Sequence, residues 1–150
     1  MKYKGIVRIT AEHADGTKQV DEFDNLITDA GLNHLRDSLT GDDAEAAIKY
    51  LVIGTSTTAP AAGDVKLGSE QFRKAITTAG EDGTGRAETI TYVAPFEAVF
   101  HIKELGWYAG ASASTSVDSG SLIARVLYDR DKTNLESLQI ERIDIIERST

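Results

Sequence analysis

The first part of the chain alternates apolar and polar residues with the period of two that half-buried strands show. Residues 5–11 form a β-branched run whose alternate positions share one face. These positions are Val7, Ile9 and Ala11. The Asp15-Gly16 pair is a strong tight-turn signal, and residues 18–23 return with strand character. We therefore predict an N-terminal β-hairpin over about residues 5–23.

The next segment has the spacing of an amphipathic helix. Thr28 is a suitable N-cap, and Thr40-Gly41 supplies a stop, so we predict a helix over about residues 29–39. Three leucines occur at i, i+3 and i+7 and are expected to face the core. They are Leu32, Leu35 and Leu39.

The rest of the chain alternates again between turn-like stretches. Further strands are predicted over residues 48–53, 72–78, 88–96, 98–108, 121–128 and 138–146. The 109–120 stretch is almost all Ala, Ser, Thr and Gly, and is expected to be an exposed loop that buries nothing. About eight strands and one helix, in a single domain over residues 1–150, predict an antiparallel sandwich or barrel. A parallel doubly wound sheet is not expected, because the strands do not alternate with helices.

Composition narrows the class of protein. The 150 residues are 41% hydrophobic and 27% charged, which is typical of a globular domain. The net charge of −8 argues against a nucleic-acid partner, and no apolar run reaches the length of a membrane span. The chain has no cysteine, which excludes disulfides and thiolate chemistry, and its start lacks the apolar core of a secretory signal.

Patterns for catalysis and metal binding are incomplete. The three histidines lie in unrelated contexts, without a nucleophile motif; they are His13, His34 and His101. Asp129 and Asp131 begin like a calcium loop, but Asn134 replaces its glycine and Ile140 its final glutamate. Residues 80–85 have the glycine spacing of a phosphate loop without its lysine. We therefore predict no catalytic, cofactor-binding or metal-binding residue, and a protein that is not an enzyme.

Four motifs occur in a fixed order over residues 25–146. They are Asn25-Leu26-Ile27-Thr28 with Gly31-Leu32; Gly54 to Pro60 continuing to Asp64, Leu67 and Glu70; Ile102-x-Glu104-Leu105-Gly106-Trp107; and Gly120-x-Leu122-Ile-Ala124-Arg125. In this order and spacing, the chain resembles structural proteins of tailed-bacteriophage virions, of the head-decoration (cement) or tail-fibre-like kind.

The resemblance implies a fold and a role. It implies a jelly-roll-like β-sandwich that forms a homotrimer, is made in the host cytoplasm and belongs to the virion. The chain begins at Met1 and lacks heptads, collagen-like runs and repeats. We therefore expect a self-sufficient accessory protein that decorates the capsid, with the major capsid protein as its partner. Alternatives are a tail-fibre-anchoring or baseplate module that binds tail proteins of the same particle, and a carbohydrate-binding module.

Candidate contact residues come from aromatic and loop positions. The candidates are Trp107, Tyr108, Phe23 and Pro60. They point to the N-terminal hairpin, the 55–64 loop and the aromatic pair as the contact surface. For Trp107 itself, core packing is favoured over an interface role. Adjacent residues of a strand face opposite sides, so Trp107 and Tyr108 are not expected to form one sugar-binding platform.

Overall fold

A computed structural model describes residues 1–42 and 45–149. Within this part, the chain is mainly β, with nine strands and one helix. The elements are β1 (Lys2–His13), β2 (Lys18–Ile27), α1 (Asp29–Thr40), β3 (Ile48–Gly54), β4 (Glu70–Ala75), β5 (Thr78–Glu81), β6 (Arg86–Val93), β7 (His101–Ala109), β8 (Ser121–Asp131) and β9 (Glu136–Glu147). The predictions of a mainly β chain, an N-terminal hairpin and one short helix are confirmed.

All nine strands join one antiparallel sheet, in the order β4-β3-β7-β8-β2-β1-β9-β6-β5. The two edge strands, β4 and β5, are separated in the chain by only Ile76 and Thr77. So short a connection spans at most about 11 Å, so the sheet must curl until its edges approach each other. The backbone N–H of Ile76 donates to the Lys49 carbonyl of β3, and that of Thr77 to the Ile90 carbonyl of β6. The sheet therefore forms a half-barrel.

The curl divides the sheet into two facing halves. The first half contains β1, β9, β6, β5 and most of β2; the second half contains β4, β3, β7 and β8. β2 and β8 connect the halves through the pairs Leu26–Arg125 and Ile27–Ala124. The main core lies between the halves. It includes Val7, Ile9, Leu138 and Ile140 from the first half and Leu51, Ile53, Leu105 and Trp107 from the second. The predicted inward positions of β1 are confirmed.

The helix begins and ends as predicted but presents a different face to the core. Thr28 accepts a hydrogen bond from the Gly31 N–H at 2.9 Å. Leu32 and Leu39 are 49% and 77% exposed, so the prediction that they face the core was wrong. The helix buries Gly31 and His34 instead. The reason is a close approach to β8, where a Cβ on Gly31 would lie 2.4 Å from a backbone oxygen.

Several strand boundaries differ from the prediction: the strand predicted over 98–108 begins at His101, and that predicted over 121–128 continues to Asp131. Two differences are larger. The strand predicted over residues 72–78 is two strands, because the chain leaves β3 at Ala75 and joins β6 at Thr78. The strand predicted over 88–96 ends at Val93. These two differences arise where the chain leaves one neighbouring strand for another, which local alternation does not record.

Candidate interaction surface

Arg125 lies at the centre of a buried network on the outer face of the second half. Its guanidinium donates hydrogen bonds to the Thr58 carbonyl (2.6 Å) and the Asp64 carboxylate (3.3 Å). It also lies 3.5 Å from Glu104, which accepts a bond from the Gly68 N–H at 2.7 Å. The Arg125 and Glu104 side chains are 2% and 0% exposed. This buried ion pair holds the loop between β3 and β4 against the sheet.

Leu67, from the same loop, covers a small second core. It packs with Val52, Tyr108 and Leu122, and its N–H donates to the Tyr108 hydroxyl at 3.0 Å. Burial raises the pKa of Tyr108 to about 12. A Cβ on Gly106 would lie 2.7 Å from the Leu67 Cδ1, so a larger residue there would displace this leucine.

Arg73 connects the loop between β7 and β8 to this assembly. It donates to the carbonyl oxygens of Ser114 (3.0 Å) and Ser119 (2.8 Å) and forms a bidentate pair with Glu70 (2.9 Å). Its guanidinium lies over the Tyr108 ring, 4.6 Å from the centroid, as in a cation–π contact. The same arginine thus fixes an edge strand and a long loop.

The loop between β3 and β4 and the loop between β7 and β8 contact each other at their outer ends. Lys66 and Asp118 form an ion pair at 3.7 Å, and the residues beside them, Val65 and Val117, are 68% and 67% exposed. The prediction that the 109–120 stretch buries nothing was wrong, because Ala113 is only 8% exposed. Ala113 packs against Gly120, where a Cβ would lie 2.7 Å from the Ala113 Cβ, so the absence of a side chain at Gly120 provides the space.

The start of α1 joins the same assembly. The Thr28 N–H donates to the Ile123 carbonyl at 3.0 Å, and its hydroxyl donates to the Leu122 carbonyl. The Asp29 N–H donates to the Ala62 carbonyl at 2.8 Å. All four motifs singled out in the sequence therefore meet around β8, where they hold loops and helix on the sheet.

A second loop, residues 94–100, presents an aromatic side chain to solvent; we call it the Phe96 loop. Phe96 is 80% exposed. Lys132 lies beneath the loop, 1% exposed, and donates to the carbonyl oxygens of Ala94 (3.1 Å) and Pro95 (3.0 Å). Burial lowers the pKa of Lys132. The Glu97 carboxylate accepts a bond from the Ala94 N–H at 2.9 Å, so the loop is fixed at two points.

Other apolar groups surround the Phe96 loop. Tyr92, Pro95 and Leu135 line one shallow depression, and Tyr92 and Leu135 are 44% and 60% exposed. Phe96 was not among the predicted contact residues, because alternation places it at the end of a predicted strand. The available signal was an aromatic residue directly after a proline, between two strands.

The predicted contact residues occupy different places. Trp107 and Tyr108 are fully buried, on opposite faces of β7: Trp107 in the main core and Tyr108 in the small core. Phe23 is partly buried and meets Tyr128 edge-on, with ring centroids 5.9 Å apart. Pro60 is partly exposed in the loop between β3 and β4. The structure thus brings none of the four together at an exposed surface.

Asp129, the first residue of the segment that resembles a calcium loop, lies in β8 and has internal partners. Asp129 accepts hydrogen bonds from His101 and from Lys103, and both lower its pKa. Among residues 1–42 and 45–149, no cluster of three or more side chains is suited to hold a metal ion. No helix in those ranges is long and apolar enough to cross a membrane.

Comparison of the chain with models of protein families, with curated proteins and with solved structures found no match. Its function is therefore inferred from its residues and their arrangement.

Proposed function

We propose that this protein is a structural component of a bacteriophage virion, a capsid decoration protein that bridges neighbouring capsid subunits. The observation that carries the proposal is the exposed Phe96 on a loop fixed by the buried Lys132. Binding energy at protein interfaces concentrates in a few aromatic anchors, and a loop fixed in advance loses little entropy on binding.

The network around β8 supports the same proposal. The motifs on which the phage resemblance depends are the residues that hold the loops on the sheet, such as Arg125, Glu104 and Thr28. A protein that works by contact needs loops held in one shape. The core between the two halves supports a jelly-roll-like sandwich as the finer description of the fold.

In this proposal the protein reinforces a shell mechanically. Each copy adds buried area across a seam between capsid proteins, so the shell opens only after those contacts break. Many weak contacts on a symmetric lattice give strong net attachment. The resemblance further implies a homotrimer.

The test is to image purified particles that carry this chain by cryo-electron microscopy. We expect density for the protein on the capsid lattice, at seams between capsid proteins. Density at the tail would support the tail-module alternative. Absence of the chain from purified particles would contradict a virion role of either kind.

A pair of variants tests the contact residue. Phe96→Ser is expected to lower occupancy on stripped particles at least tenfold, because an aromatic anchor contributes ~2 kcal/mol or more. Leu39→Ser is the matched control, since Leu39 is 77% exposed but lies on α1. An equal loss of occupancy in both variants, or no loss in Phe96→Ser, would show that Phe96 is not a contact residue. Light scattering after size exclusion tests the trimer.

A further inference from the structure

The space between the two halves is not filled at one end. A cavity of about 350 Å³ lies between α1 and the inner face of the first half. Small residues line both of its walls: Gly31, Ala46, Ala47, Ala79, Gly80 and Ala87. Protein interiors are usually close-packed, and elsewhere in this space larger side chains such as Val7 and Leu138 fill the gap. The volume lies within the ~300–1,000 Å³ range of small-molecule sites.

One polar group in the cavity lacks a partner. Thr89 is on β6, facing inwards, and is 8% exposed. Within the described part of the chain, its hydroxyl makes no hydrogen bond. A buried hydroxyl without a partner is unfavourable, and a ligand with a matching group would relieve that cost.

Two other polar groups of the wall, Asp144 and His34, already have partners. The Asp144 carboxylate accepts bonds from the Tyr3 hydroxyl (2.7 Å) and from the Arg142 guanidinium (2.6 and 3.0 Å). His34 lies 2.7 Å from the Ala46 carbonyl. Among the described residues of this lining, the Thr89 hydroxyl is therefore the buried one that lacks a partner, on a mostly apolar wall.

The other lining residues indicate that a ligand should have an apolar body and no negative charge. Leu35, Ile48, Ile123 and Ile146 supply an apolar surface. Glu88 and Asp144 also line the cavity, and the chain as a whole carries a net charge of −8. An anion is therefore disfavoured.

We propose that this cavity binds a small neutral amphiphile, with an apolar body and one hydroxyl group that hydrogen-bonds to the Thr89 hydroxyl. The available space holds about a dozen water-sized groups at ~30 Å³ each, which suits an alcohol of medium chain length. The site is separate from the Phe96 loop, so it stands or falls independently of the virion role.

Titration with n-octanol, followed by NMR of the intact chain, tests the proposal. We expect saturable shifts at Thr89, Leu35 and Ile48, and at least tenfold weaker binding of octanoate. The absence of saturable n-octanol binding would overturn the proposal, and so would equal affinity for octanoate.

Two matched variants test the role of the hydroxyl. Thr89→Val keeps the shape of the side chain and is expected to weaken n-octanol binding about two- to tenfold, the value of one hydrogen bond. Thr91→Val is the control: Thr91 is on the same strand and is also buried without a partner in the described chain, but it does not line the cavity. It should leave binding unchanged. Equal effects in both variants would overturn the assignment to Thr89.

A filling variant tests the location. Ala87→Phe should abolish n-octanol binding while the circular dichroism spectrum and Tm stay close to those of the wild type. Unchanged affinity in the folded variant would place the alcohol elsewhere and overturn the proposal. Self-association that Ala87→Phe abolishes, without any n-octanol binding, would assign the cavity to a second copy and also overturn it.

Discussion

At the scale of single residues, two buried threonine hydroxyls have opposite effects on stability, because one has hydrogen-bond partners and the other has none in the described chain. The Thr28 hydroxyl accepts a bond from Gly31 and donates one to Leu122, which fixes the start of α1 on β8. The Thr91 hydroxyl is fully buried and has no partner in the described chain. Burial of a hydroxyl is favourable only when its hydrogen bonds are made.

Thr91→Val is therefore expected to raise the free energy of unfolding by about 1–3 kcal/mol, because it removes an unpaired buried hydroxyl at nearly constant volume. Thr28→Val should lower it by about 1–2 kcal/mol through loss of the helix cap. Urea unfolding of both variants measures the difference. Destabilisation by Thr91→Val would show that its hydroxyl has a partner.

Gly31→Ala tests the approach of the helix to β8. The added Cβ would lie 2.4 Å from the Ile123 carbonyl oxygen, so we expect a loss of about 1–3 kcal/mol of stability. Helix propensity alone predicts a gain of up to ~1 kcal/mol, so the sign is diagnostic. Gly63→Ala is the control, because within residues 1–42 and 45–149 no atom beyond its chain neighbours lies within 4 Å of its added Cβ. A stabilised Gly31→Ala variant would contradict the close packing.

At the scale of elements, long loops are held by a few buried or half-buried charges rather than by regular backbone pairing. The loop between β3 and β4 depends on the Arg125–Glu104 pair, and the Phe96 loop depends on Lys132 and Glu97. A buried charge needs its partner, so each such contact is sensitive to loss of one side.

Arg125→Met is expected to destabilise the protein by about 3–5 kcal/mol, because it leaves Glu104 buried and unpaired. The double variant with Glu104→Met should recover part of that loss. Limited proteolysis should show earlier cleavage in the loop between β3 and β4 in the single variant. A double variant no more stable than the single one would contradict the pairing.

Glu97 gives the Phe96 loop a dependence on pH. Burial disfavours the ionised carboxylate, but hydrogen bonds from Lys74 (2.7 Å) and the Ala94 N–H outweigh it and lower the pKa of Glu97. A lowered pKa contributes stability above the unfolded value of ~4.3, and this contribution is lost as pH falls through the folded pKa. The free energies of unfolding of the wild type and of Glu97→Gln should therefore differ at neutral pH, and this difference should decline as the pH falls into the acid range. A difference that grows in acid would contradict this sign.

At the scale of the whole molecule, the curl makes some strands internal and leaves others at an edge. β1 and β9 pair with each other over residues 2–13 and 136–147, and each has a second neighbour. β5 is a four-residue edge strand whose residues are all exposed. Local opening is easiest where backbone pairing is one-sided and little surface is buried.

Hydrogen exchange should therefore rank the strands. We expect the amides of β9 to exchange slowest, at the rate of global unfolding, and those of β5 to exchange fastest among the strands. Mass spectrometry of exchanged peptides measures this order. Protection of β5 equal to that of β9 would indicate a further partner at that edge.

The sequence by itself determined the features that depend on a few neighbouring residues. Alternation in β1 predicts which side of the strand is buried, as Val7 and Ile9 confirm. Thr28 and Gly41 set the two ends of α1 through local caps. Such signals act within one turn or one strand, so they survive without knowledge of the neighbours.

Only the tertiary structure decided which side chains face the core and which face solvent. Leu39 has core-like spacing but is exposed, because Gly31 is the residue that fits against β8. The exposure of Phe96 and the space beside Thr89 likewise depend on segments far apart in the chain. Curling of the sheet sets these distances through long-range pairings, and a local pattern of polar and apolar residues carries no information about its distant partner.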